Sequence, residues 1–162
     1  EDKEATMHHT TATNEEIITL LQQRRDAFSR LCAKLWDYRN DACALFNQCP
    51  CPVCGYPTLS ERSYYDMCYL CAWEDDGQDD DNADEPSGPN GGYTLTRARL
   101  NFFHHGSMYD QNDEYGIRWL KKYAARIRAC MALYDALLCV QNTKERAELI
   151  AAIRKLDGCP AL

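Results

Sequence analysis

Cys49-Pro50-Cys51-Pro52-Val53-Cys54-Gly55-Tyr56 is followed further on by Cys68-Tyr69-Leu70-Cys71-Ala72-Trp73. This stretch holds two Cys-x-x-Cys pairs, Cys51/Cys54 and Cys68/Cys71, with thirteen residues between Cys54 and Cys68. One pair alone is a weak signal. Two at this separation supply four thiolates that can converge on a tetrahedral zinc ion. Pro52 fixes one φ angle inside the first turn. Gly55 stands where the chain must bend behind the second sulfur, and it reaches positive φ at little steric cost. Tyr64, Tyr65, Met67 and Tyr69 have strand-like character, so the segment reads as a β-hairpin ribbon with a knuckle at its base.

Four cysteines close the coordination shell, whereas catalytic zinc keeps a position open for water. The expected cofactor is therefore a structural zinc held by Cys51, Cys54, Cys68 and Cys71, whose binding energy is folding energy. The competing readings are free buried thiols, a disulfide, or a redox Cys-x-x-Cys. The last calls for a thioredoxin-like strand–helix setting that neither pair has.

Outward from this stretch, composition sets bounds. The chain has 162 residues, 45% of them hydrophobic, which suits one domain or one domain with a small insert. No apolar run approaches the length of a membrane span, and the polar, partly acidic N-terminus is unlike a secretory signal. Of ten cysteines, six lie outside the pairs: Cys32, Cys43, Cys49, Cys130, Cys139 and Cys159. Most of these sit in helical patterns, where cysteine behaves as a small hydrophobe, and a reducing cytoplasmic setting is expected. The net charge of −7 is concentrated: Glu74 to Glu85 holds eight acidic residues and no basic one, leaving 18 basic against 17 acidic elsewhere. No basic stripe is evident in that balance, so nucleic acid is not the expected partner.

Taken in order, residues 1–12 read as a polar tail, in which His8-His9 is not assigned a metal. Thr13 and Glu16 form a capping box. A long amphipathic helix follows, from Asn14 to about Arg39, with Ile17, Leu20, Leu21, Phe28, Leu31, Cys32, Leu35 and Trp36 at helical spacing. Asp41 to Phe46 continues towards the first pair. Residues 13–48 thus form the N-terminal helical part, and 49–93 the zinc ribbon and acidic loop. Asp79-Asp80-Asp81 with Asp84 lacks the register of an EF-hand, and the loop reads as solvated or partner-facing. Residues 94–162 are helical. Thr94 or Thr96 caps a helix over Arg97 to His105 that Gly106 ends, with Leu100 and Phe103 towards the core. Ile117, Leu120, Ala124, Ile127, Met131, Tyr134 and Leu138 form a seam. Thr143 caps a last helix carrying Leu149, Ile150, Ile153 and Leu156, closed by Gly158. The expected fold is mainly α: a helical bundle with an inserted zinc-ribbon β-hairpin, α+β overall.

The strings CPVCGYPTL, CYLCAWEDDGQDDDNADE, GPN and LTRARLNF between Cys51 and Phe102 resemble the bacterial cysteine-rich CPCC family. Trp73-Glu74-Asp75-Asp76-Gly77-Gln78-Asp79-Asp80 is the most specific part. One departure is Val53, where the family pattern has a cysteine; that thiol is then not needed for zinc here, and Cys49 is its candidate stand-in. The resemblance implies a small intracellular zinc module, and some such proteins look like immunity partners of secreted toxins.

The expected function is a zinc-stabilised, non-enzymatic protein-binding module of immunity type that inhibits a bacterial toxin. Its partner is a protein with a basic surface, and the partner-binding residues are Trp73, Glu74, Asp75, Asp76, Asp79, Asp80, Asp81, Asp84 and Glu85. Electrostatic steering by such a loop favours a basic cleft. The alternatives are an enzyme using loop carboxylates such as Glu74, Asp75 and Asp79, perhaps with a second metal, and a nucleic-acid-binding zinc ribbon. No nucleophile–base pair or phosphate loop supports the enzyme.

Overall fold

A computed structural model describes residues 11–36 and 48–156. Residues 1–10 of the expected tail, the Asp41–Phe46 segment, the helix end at Arg39 and the Gly158 stop lie outside the described residues. The elements run α1 (Asn14–Trp36), β1 (Cys49–Pro50), β2 (Pro57–Leu59), a short 3₁₀ turn (Asp80–Asn82), α2 (Leu95–His105), α3 (Glu114–Cys139) and α4 (Thr143–Leu156). The mainly helical class with one small antiparallel hairpin is as expected, and β1 pairs with β2 across the first cysteine pair.

Each helix starts where a side chain satisfies its free backbone donors. Thr13 Oγ1 accepts from Glu16 N–H, and Glu16 Oε2 accepts from Thr13 N–H, the reciprocal box that the sequence predicts. Thr94 caps α2 by accepting from Arg97 N–H, and Gly106 ends it at φ 85°. Asp113 caps α3 through Tyr115 and Gly116. At α4 the cap is Asn142, not Thr143: Asn142 Oδ1 accepts from Lys144 and Glu145 N–H.

The buried faces differ in detail from the expected ones. In α1, Ile17, Leu21, Phe28, Cys32 and Leu35 are buried, while Leu20 is exposed. In α2 the inward residues are Leu95, Ala98 and Phe102; Phe103 points to solvent because it lies a further 100° around the helix. In α3 the seam is Ile127, Cys130, Tyr134 and Leu137, one residue out of step with the expected Leu138, and Ile117 is exposed. Ile150 and Ile153 of α4 are buried, and α4 packs on α3.

The expected ribbon is also shorter than its sequence suggests. Tyr64 to Tyr69 does not form a strand: Ser63 and Tyr65 have left-handed backbones at φ 63° and 62°, and a single bridge pairs Met67 with Glu74. Nor is the cysteine segment an appendage. Phe28 of α1, Tyr56 beside the first pair and Tyr134 of α3 form a ring cluster, with centroids 5.5–5.8 Å apart. Cys51, Cys54, Cys68 and Cys71 belong to the same apolar core as Ile17, Leu35, Ile127 and Ile153. The cysteine centre is thus the hub on which α1, α2 and α3 converge.

Candidate metal centre

Two turns of the same design carry the four cysteines. In the first, Gly55 N–H donates to Cys51 O at 2.9 Å and Cys51 N–H to Tyr56 O at 2.8 Å. In the second, Ala72 N–H donates to Cys68 O at 2.9 Å and Cys68 N–H to Trp73 O at 2.7 Å. Each turn closes with a left-handed residue directly after the second cysteine, Gly55 at φ 78° and Ala72 at φ 70°. This bend turns both sulfurs of a pair to one side, and the two turns face each other.

The four Sγ atoms all lie within 4.8 Å of one another and are fully buried. Cys51 Sγ is 3.6 Å from Cys71 Sγ, and Cys54 Sγ is 3.7 Å from Cys68 Sγ. A disulfide would need about 2.05 Å, so these contacts are not bonds. A tetrahedron with metal–sulfur bonds of about 2.3 Å has an edge of about 3.8 Å, which the cross-pair distances match. Thr58 donates its hydroxyl to Cys68 Sγ at 3.0 Å. Burial pushes the Cys54 and Cys71 thiols well up. Burial pushes Cys68 the same way, but hydrogen bonds from the other three thiols and Thr58 outweigh it and hold Cys68 low. A dry nest that brings four sulfurs within 4.8 Å of one another suits a divalent cation. The set can hold a metal ion, and its donors suit zinc in a closed shell.

Cations of the surrounding helices tie this nest to the acidic loop. Arg24 of α1 donates to Cys54 O at 3.1 Å and lies over the Tyr56 ring at 4.4 Å. Arg99 of α2, only 2% exposed, donates to Pro52 O at 2.9 Å and to Asp80 at 2.7 Å. Arg25 donates to both Asp79 and Asp80, at 2.9 and 2.8 Å. Arg62 donates to Asp75 at 2.9 Å, Asp79 at 3.1 Å and Gln78 O at 2.7 Å. The Arg25 hydrogen bond, aided by Arg99, holds the Asp80 carboxyl well below the usual range. For Asp79 burial acts upward, yet the Asp80 N–H, Arg62 and Arg25 together bring it below the ordinary value.

These contacts redistribute the expected partner-binding set. Trp73 and Asp75 are both 0% exposed, so neither can touch a partner in this conformation. Trp73 packs in the core beside the second pair, and Asp75 accepts from Arg62, Ser63 N–H and Gly77 N–H. Asp79 and Asp80 are partly open but already engaged by arginines. Asp76 accepts from Ser87 and Gln78 N–H, and Asp84 from Thr96. Among the described residues, Glu74, Asp76, Asp81, Asp84 and Glu85 form no ion pair. The sequence reading missed Arg25, Arg62 and Arg99. Their signal was the loop's own charge excess, which a folded chain must balance with cations brought from elsewhere.

Among the described residues, no helix is long and apolar enough to cross a membrane. No curated protein and no solved structure matches the chain. The family model described as Cysteine-rich CPCC matches residues 49–122, which span both cysteine turns, the acidic loop, α2 and the start of α3. Over this segment the chain is similar to the cysteine-rich CPCC family.

Proposed function

We propose that this protein is a zinc-stabilised, non-enzymatic module that works by binding another protein in the cytoplasm. The observation that carries this reading is the complete burial of all four cysteine sulfurs at the convergence of three helices. Such a centre offers substrate no approach and stiffens the surfaces around it, the role of a closed zinc shell. Of Glu74, Asp75 and Asp79, the loop carboxylates that an enzyme would have used, Asp75 and Asp79 are held by Arg62 and Arg25, which favours a scaffold over acid–base chemistry.

The face proposed for the partner is the unpaired part of the acidic loop: Asp76, Asp81, Asp84 and Glu85, with Glu74 beside them. A basic partner surface would complement it and speed association most at low salt. In its narrowest form, drawn from the family resemblance, the reading is an immunity-type protein that occludes a bacterial toxin. The test is capture of partners on the tagged protein, followed by binding kinetics at two salt concentrations. The reading expects Asp81→Asn/Asp84→Asn/Glu85→Gln to slow association and flatten its salt dependence while the fold stays intact. Unchanged kinetics at both salts would remove this face from the account.

A further inference from the structure

Helix α3 carries two parallel tracks. Tyr115, Trp119 and Tyr123 recur every fourth residue, and so do Arg118, Lys122 and Arg126. Four residues advance about 6 Å along a helix, so rings and cations climb side by side. Arg118 lies over the Tyr115 ring at 4.8 Å, while Lys122 and Arg126 lie over Tyr123 at 4.9 and 4.6 Å. With Lys121 and Arg128, the helix has five basic residues and no acidic one between Glu114 and Asp135. The sequence expectation of no basic stripe is thereby corrected: a balance summed over the chain hides a run confined to one helix. Among the described residues none of these five forms an ion pair, whereas Arg25, Arg62, Arg97 and Arg99 all do.

This stripe borders a groove of about 280 Å³ beside the second cysteine turn. Its lining joins the apolar surfaces of Met67, Ala72, Tyr109 and Trp119 to the exposed cations Arg118 and Lys122. Trp119 is anchored, its indole N–H donating to Leu70 O at 3.4 Å, so the metal centre fixes one wall of the groove and α3 the other. Tyr115 is 67% exposed, a large ring left at the surface next to unpaired cations.

We infer that this groove docks a short acidic polypeptide segment, whose aromatic or aliphatic side chain enters among Met67, Tyr109 and Trp119 while flanking carboxylates meet Arg118 and Lys122. The inference rests on the binding-module reading and adds a second face, opposite in charge to the acidic loop. Charge complementarity selects an anionic occupant. The mostly apolar lining selects one with a side chain to bury, and methionine is an adaptable contact for it. A nucleic acid strand would carry its phosphates beyond the stripe onto a protein of net charge −7, a cost that a short peptide with few charges avoids.

A displayed library of random peptides, selected on the full-length metal-loaded protein, tests this. Enriched peptides are expected to place acidic residues around an aromatic or large aliphatic one. A synthetic peptide of the enriched sequence should bind Arg118→Glu/Lys122→Glu at least about ten-fold more weakly by fluorescence anisotropy. The same peptide should bind Asp81→Asn/Asp84→Asn/Glu85→Gln as it binds the unaltered protein, which separates this face from the acidic loop. Thermal melts of both variants confirm folding, since all substituted residues are exposed. No enrichment, enrichment without acidic bias, or unchanged affinity for the double variant would overturn the inference. So would displacement of the peptide by an equal concentration of a short oligothymidylate, which would assign the stripe to nucleic acid.

Discussion

Gly55 and Ala72 occupy equivalent positions in the two cysteine turns, each one residue past the second thiol, each left-handed, and each donating its N–H to the carbonyl of the first cysteine of its pair. Their surroundings differ. A Cβ on Gly55 would stand 2.9 Å from both Arg25 N and Leu21 O of the α1 backbone. The first turn therefore presses against a helix backbone that has no room for a side chain, while the second turn accommodates a methyl.

That contrast predicts unequal effects of exchanging the residues. Gly55→Ala adds left-handed strain of about 1–2 kcal/mol to overpacking of about 1–3 kcal/mol, for a loss of several kcal/mol in a denaturant melt. Ala72→Gly should stay within about 1 kcal/mol of the unaltered protein. Relief of strain is there offset by a lost buried methyl and a freer unfolded chain.

Loss of one cysteine ligand is expected to collapse the whole fold. The sequence reads as a ribbon inserted in a helical bundle, and the four cysteines share one core with α1 and α3. Structural zinc supplies apparent binding energies of about 10–16 kcal/mol, comparable to the whole stability of a domain. Cys54→Ser, or a strong chelator, should abolish most of the far-ultraviolet helical signal. A variant that keeps that signal would mean that α1, α3 and α4 stand without the metal centre.

The legible parts of this fold were those written in local chemistry. The doubled cysteine spacing, the Thr13–Glu16 box, the Thr94 cap and Gly106 each declare themselves within a few residues, and the structure repeats them. The acidic loop reads as solvated or partner-facing in the sequence because its arginine partners are remote. Arg25 lies 54 residues from Asp79, and Arg99 lies 19 from Asp80; charge sums do not record who meets whom. Tyr64–Tyr69 looked like a strand by composition, yet Ser63 and Tyr65 adopt left-handed backbones that their side chains do not announce. Ala72 is equally silent, being recognisable only as the counterpart of Gly55.

The arginine network predicts a pH-dependent stability difference. The folded Asp80 carboxyl titrates below its unfolded value because Arg25 and Arg99 favour the charged form. Its contribution is therefore full above the unfolded value of about 3.9 and lost as pH falls through the folded value. Asp80→Ala should cost about 1–2 kcal/mol at neutral pH, a figure moderated by the solvent exposure of the carboxylate. The gap between variant and unaltered protein should be level from about pH 5 to 8 and narrow in stronger acid. A gap that widened in acid would reverse the assigned sign. Reading the difference at each pH, by chemical denaturation, removes the effect of metal release common to both proteins.

A single zinc ion held by Cys51, Cys54, Cys68 and Cys71 is expected, and X-ray absorption at the zinc edge on protein of measured metal content reads its shell. About one zinc per chain with a shell of four sulfurs at about 2.3 Å is expected. A shell containing nitrogen or oxygen ligands, or protein purified without metal and with these thiols paired as disulfides, would contradict it.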